Sequence, residues 1–165
     1  MRFGRLQQVE HEAFLTLYAG QAGVLTDLVV TAGVTAAADA LLVPRRSGRV
    51  LAEAAEGRDV TTVVAGVWTL LRRLHGAGVA HGQIDRRHLL VLGDEVGLVD
   101  FRGATVAATD TQRRIDEVQA PVTAAGLVGE ERAAASALEA LGPQELTAML
   151  PYVQPPTLTP LQRRR

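Results

Sequence analysis

Residues 75–102 gather His75, His81, Gln83, Asp85, Arg86, Arg87, His88, Asp100 and Arg102, the densest run of polar chemistry in the sequence. Three histidines invite a metal site. Their spacings of six and seven suit neither a pair on one helix face nor a zinc finger, so no zinc is expected. Asp85 and Asp100 could be paired carboxylates for hydrolysis, but nothing else in the chain supports a glycosidase site, and Asp85 reads as a solvated side chain. His75 falls where a helix ends, a favourable place for a partial cation. His81 reads as a histidine that braces a loop. Asp100 admits two readings, a hold on a cation or nucleotide and a brace for the loop after its strand. Arg72-Arg73 and Arg86-Arg87 read as solvated faces, with Arg86-Arg87 placed to meet an anionic ligand.

Composition narrows the chemistry further. All 17 basic residues are arginine, which removes Schiff-base catalysis and any phosphate-binding lysine. Cysteine is absent, so there are no disulfides, thiolate metal sites or cysteine nucleophiles. A net charge of −1 argues against binding nucleic acid or anionic membranes through bulk electrostatics. The chain has 165 residues, 47% of them hydrophobic, enough for one domain with a real core. There is no signal-peptide core and no run of about 18 apolar residues, so the segment itself is not expected to enter a membrane.

The elements that must position these residues follow from periodicity. Leu6, Val9, Ala13, Phe14, Leu17 and Tyr18 predict a helix over 5–19, stopped at Gly20. A hairpin or two short strands follow, 28–30 and 40–43, separated by the stretch from Gly33 to Asp39, with 44–48 as a turn or connector. Val60, Val63, Val64, Val67, Leu70, Leu71 and Leu74 predict a long helix over 59–75, capped by Asp59. The runs 89–92 and 96–99 predict a β-hairpin around Gly93-Asp94-Glu95. Beyond Asp110 the pattern is helical over 111–127, 130–141 and 143–150, with a boundary at Gly142-Pro143. Strands and helices that segregate in this way imply an α+β fold. The Pro-rich tail, 151–165, reads as a linker or frayed terminus, or alternatively as a basic segment beside a membrane.

The stretch Leu74-His75-Gly76-Ala77-Gly78-Val79-Ala80-His81-Gly82-Gln83, followed by Val99-Asp100-Phe101-Arg102, resembles the catalytic core of the protein-kinase-like superfamily. In that family a long helix leads to a His-Gly/Arg-Asp loop, and a short hairpin then presents Asp-Phe-Gly. The resemblance implies a mainly helical C-lobe over 49–150 and a reduced N-lobe over 1–48, with 44–48 as the hinge that receives adenine. It places Gln83 at the catalytic base, His88 at the second metal ligand, and Asp100 at the metal- and cofactor-binding aspartate. Glu10 or Glu12 matches the family's helix glutamate, and Glu12 is taken as the cofactor-side residue. His81 and Asp116 fall at the positions that brace the catalytic loop, with Asp116 read equally as a first-turn acidic residue that complements the helix dipole.

Against that pattern the site is degraded. Phosphoryl transfer needs a base, cations over the phosphates and oxygen ligands for Mg²⁺. An amide cannot act as a base near neutral pH, and a general base supplies roughly 10²–10⁴ in rate. Imidazole suits zinc or copper better than Mg²⁺. The family's glycine after Phe101 is Arg102, a cation able to fill the phosphate or metal space. The expectation is a catalytically inert, pseudokinase-like regulatory or partner-binding domain with no cofactor, ATP and Mg²⁺ binding only weakly if at all. One rival is an active phosphotransferase in which Asp85 replaces the lost base. Another is a ligand-free interaction domain. Residues 75–81, the Leu-Val-Asp at Asp100 and Leu-Pro-Tyr-Val-Gln-Pro at 150–155 are also similar to the kinase-like cytoplasmic domain of actinobacterial flippase-like membrane proteins, related to lysylphosphatidylglycerol synthase. That similarity implies a cytoplasmic domain tethered at the inner face of the plasma membrane. Its partner would be another protein or the transmembrane part of a longer chain of its own.

Overall fold

Helix α2 (Val60–Gly76) is the organising element of the computed structural model, which describes residues 4–53 and 59–164. Its apolar residues recur every three or four positions, so Val63, Val64, Val67, Leu70, Leu71 and Leu74 all turn inward and are buried. Asp59 caps its start by accepting from the Thr61 amide at 2.9 Å. Around α2 the core holds Leu15, Ile84, Leu89, Leu98 and Phe101, all fully buried. Each such side chain contributes about 1.5–3 kcal/mol of transfer free energy.

The chain begins with α1 (Arg5–Gln21), then β1 (Leu25–Thr26), β2 (Leu28–Val34), β3 (Ala40–Arg45) and β4 (Arg49–Val50). After α2 come β5 (Val79–Ala80), the hairpin β6 (Leu89–Leu92) and β7 (Glu95–Leu98), and β8 (Thr105–Val106). Two helices close the fold, α3 (Asp110–Val128) and α4 (Glu130–Met149). One four-stranded sheet runs β1-β7-β6-β4, while β2-β3 and β5-β8 form separate two-stranded sheets. Strands and helices are segregated along the chain, and the fold class is α+β.

Several predicted boundaries move, each for a physical reason. Strand β2 continues through Ala32 and Gly33 to Val34, because pairing with Ala40–Leu42 outweighs the weak strand propensity of those residues. The 44–48 connector begins later than expected, since Pro44 and Arg45 still pair with Val29 and Leu28 across a bulge at Val30. The hairpin turn tightens to Gly93-Asp94, so that Glu95 pairs with Leu92 and Gly93 takes the positive φ of 57°. The boundary expected at Gly142-Pro143 stays in place, as a break within α4 where Gly142 is non-helical at φ 76° and ψ 167°.

Strand β1 is short and depends on one glycine. It pairs in parallel with β7, Leu25 against Gly97 and Thr26 against Leu98. A Cβ at Gly97 would overlap the Leu25 carbonyl, so the approach of the two backbones requires glycine there.

The tail is neither frayed nor a free linker. Thr159 and Gln162 are buried, and the Gln162 Nε2 amide donates to Ile84 O at 3.1 Å, Gln119 O at 2.8 Å and Thr123 Oγ1 at 2.9 Å. Thr159 and Gln162 also bond each other reciprocally, Gln162 N to Thr159 Oγ1 and Thr159 N to Gln162 Oε1. The reciprocal pair has the pattern of a capping box and leads into the short helical turn Gln162–Arg164. No helix of the described residues is long and apolar enough to cross a membrane.

Candidate functional site

The loop 81–88 lies between β5 and β6, and three polar residues on one face of α3 hold it. Asp116, Gln119 and Thr123 are spaced three and four apart, so all three point to the same side. Asp116 is fully buried and accepts from His81 N at 2.8 Å, Gly82 N at 2.6 Å and His75 Nε2 at 3.1 Å. Gln119 accepts from Ile84 N at 2.7 Å and donates to Gly82 O at 3.0 Å. Thr123 Oγ1 donates to Ile84 O at 2.7 Å. A buried backbone amide without a partner costs about 1–3 kcal/mol, so these three residues fix the loop rather than decorate it.

His81 is fully buried, donates from Nε2 to Val99 O at 3.1 Å, and meets the Phe101 ring edge-on at 5.0 Å between centroids. It thereby ties the loop to the turn that carries Asp100. Burial pushes the His81 imidazole below its ordinary pKa, although the Asp116 carboxylate works the other way. The folded state therefore favours the neutral ring more than the unfolded chain does. In the unfolded chain its pKa is near 6.5, so stability is full above that value and falls as pH drops through it. The slope approaches 1.4 kcal/mol per pH unit. Urea melts between pH 7 and pH 5 should show this loss, and His81→Gln should flatten it. An unchanged slope in that variant would remove His81 as the source.

Asp85 is buried, not solvated. Oδ1 accepts from Arg87 N at 2.9 Å and from His88 Nδ1 at 2.9 Å, and the carboxylate also receives the Thr159 side chain. Burial raises its carboxyl pKa, but the hydrogen bonds from His88, Thr159 and the Arg87 amide outweigh this and hold it below the ordinary value. A buried carboxylate already committed to three donors is badly placed to receive a proton from an acceptor hydroxyl.

His88 connects this buried aspartate to the surface. With Nδ1 on Asp85, its Nε2 faces Asp100 Oδ2 at 4.0 Å. Asp100 is partly exposed and takes a left-handed backbone, φ 63° and ψ 67°, directly before the short helical turn Phe101–Gly103. Arg102 Nη2 lies 3.6 Å from Asp100 Oδ1, and its Nε lies 3.6 Å from Glu12 Oε2 on α1. Burial raises the Glu12 carboxyl pKa, the Asp100 charge raises it further, and Arg102 opposes both. Gln83 reaches the same turn, its amide near Gly103. The fold thus brings together Glu12, Gln83, Asp85, His88, Asp100 and Arg102. His81 and Asp116 lie buried behind them, and Glu10 is exposed on α1.

This donor set does not suit Mg²⁺. The partly exposed oxygens of Asp100 face a guanidinium on one side and an imidazole on the other, where a hard cation needs several oxygens. Among the described residues no group of three or more His, Asp or Glu side chains is arranged to hold a metal.

Two of the arginine pairs differ from a plain solvated face. Arg73 donates to Gly23 O at 2.8 Å and sits 3.5 Å from Glu95, whereas Arg86 Nε is buried without a partner among the described residues. Sequence reasoning also missed His11, which donates from Nε2 to Ala104 O at 3.0 Å and so ties α1 to the Asp100 turn. Gln119, Thr123, Thr159 and Gln162 were missed as well. The polar residues at three-and-four spacing on α3 and the Thr-x-x-Gln pattern at 159–162 were the available signals.

What the geometry defines is an α+β domain with one braced loop and one charged turn facing it. No family model matches the chain, and no curated protein matches it.

Proposed function

We propose that this chain is a kinase-like domain whose phosphate site is closed by its own arginine and which acts by binding a partner rather than by transferring phosphate. The observation that carries the reading is Arg102, set 3.6 Å from both Asp100 and Glu12. In this reading its guanidinium takes the space a phosphate-bound cation would need, and it satisfies the two carboxylates that would otherwise recruit one. The order of elements supports it: a long helix, a loop carrying His81 and Gln83, a hairpin, then Asp100. Gln83 adds to it, because an amide leaves the acceptor hydroxyl without a base. The committed oxygens of Asp85 weigh against a relocated base. The partner is another protein or the membrane part of a longer chain, and the domain sits on the cytoplasmic side, tethered at the plasma membrane.

Thermal melting with millimolar ATP, ADP or GTP, with and without Mg²⁺ or Mn²⁺, tests the reading. A ligand at 100 times its Kd adds about 2.7 kcal/mol, which is roughly 5–10 °C for a chain of this size. The expected shift is below roughly 1 °C. A shift of several degrees that disappears in Asp100→Ala would overturn the closed site, and phosphotransfer lost in the same variant would overturn the inert reading.

A further inference from the structure

On the far side of the loop, where α2, α3 and α4 meet, lies a cavity of about 270 Å³ that the reading above does not use. Its volume is near the lower end of the range for small-molecule sites, about 300–1,000 Å³. Trp68, Leu71, Ala140 and Leu141 supply apolar walls, and Arg72, His75 and Glu117 supply the polar side. Trp68 is itself fixed by an indole hydrogen bond to Ser136 Oγ at 2.9 Å.

The charges around the cavity are not equally free. Glu117 Oε2 is paired with Arg114 Nη1 at 2.7 Å, and Arg114 also reaches Glu145. His75 donates to the buried Asp116, with its other nitrogen 3.9 Å from Glu117 Oε1. Arg72 donates to Thr69 Oγ1 at 3.0 Å and has no carboxylate within ion-pair distance among the described residues. It also borders an adjoining cavity of about 310 Å³, shared with Trp68 and Ala140 and edged by Glu139. The cavity therefore offers an apolar bed and one guanidinium fork, the geometry that receives a carboxylate bidentately.

We propose that this cavity binds a small aromatic or short-chain aliphatic carboxylate, its apolar body against Trp68 and its oxygens on Arg72. The site reaches the loop directly. His75 in its wall hydrogen-bonds Asp116, which receives the amides of His81 and Gly82. Occupancy is therefore expected to stiffen those two amides. Binding itself does not depend on how Asp100 and Arg102 are read.

Trp68 is the only tryptophan in the chain and reports on its own cavity. Titration with hexanoate, hexan-1-ol and hexylamine separates apolar burial from charge recognition. Hexanoate should change Trp68 emission saturably, at least tenfold more tightly than the alcohol or the amine. Arg72→Gln should weaken hexanoate at least tenfold and leave the alcohol unchanged, while Ala140→Phe should fill the space and abolish both. Saturation-transfer NMR on hexanoate gives the same reading without relying on fluorescence. No saturable binding by either method overturns the proposal. So does equal binding of hexylamine, or an unchanged affinity in a folded Arg72→Gln. Binding with unaltered amide exchange at His81 and Gly82 overturns the link to the loop.

Discussion

Asp116→Ala should destabilise the domain by about 3–5 kcal/mol, more than loss of any other polar side chain here. The carboxylate is fully buried and answers three donors, the amides of His81 and Gly82 and the His75 ring. Alanine leaves all three without an acceptor in a place where water does not replace it. For a chain of this length that is a fall in melting temperature of roughly 6–20 °C. Asp116→Asn should lie between, because one acceptor oxygen remains while its amide hydrogens face other donors. His75→Ala should cost least, about 1 kcal/mol, since Asp116 keeps its two backbone partners. Amide exchange would then rise first at His81 and Gly82. A melting point for Asp116→Ala within roughly 2 °C of the parent would show that the loop is held by something else.

The second large effect is expected from a single methyl group. Gly97→Ala places a Cβ on the carbonyl of Leu25, and a backbone atom cannot step aside as a side-chain end can. Either β7 bends or β1 leaves the sheet, at about 2–4 kcal/mol. Loss of β1 would loosen the join between α1, with its Glu12, and the hairpin that leads to Asp100. Gly33→Ala is the matched control, a strand glycine whose added methyl meets no atom. It should be neutral or slightly stabilising. Hydrogen exchange over residues 5–50 distinguishes the two. If Gly97→Ala leaves that region as protected as the parent, the β1–β7 pairing contributes nothing to docking.

Much of the scaffold was legible in the sequence because it rests on periodicity. Helix α2 was predicted at 59–75 and lies at Val60–Gly76, since seven apolar positions at three-and-four spacing and an aspartate cap all agree. The β6–β7 hairpin was legible for a similar reason, two apolar runs around a Gly-Asp turn. Strands β1, β4, β5 and β8 were not, because two residues carry no period and such strands exist only through their partners. At the site, the residues around Asp100 could be nominated from spacing, but their states could not be read. Asp85 reads as solvated in sequence because nothing else in the chain supports a paired-carboxylate site. It is buried and receives a hydrogen bond from the Thr159 side chain, far along the chain. Contacts between a loop and a distant tail leave no local trace in sequence, except where a capping pattern marks the tail as structured.

That docked tail also sets a schedule. Gln162 reaches back to Ile84 across 78 positions. At about 5–20 residues per second on the ribosome, the two are made roughly 4–16 s apart. Until then the carbonyl of Ile84 has Thr123 but not its second donor, and Asp85 lacks the Thr159 hydroxyl, so water must answer for both. The nascent chain can assemble helices and hairpin early, yet the loop at the centre of the domain waits for residues 159–162. Thr159 and Gln162 are the side chains whose arrival completes it.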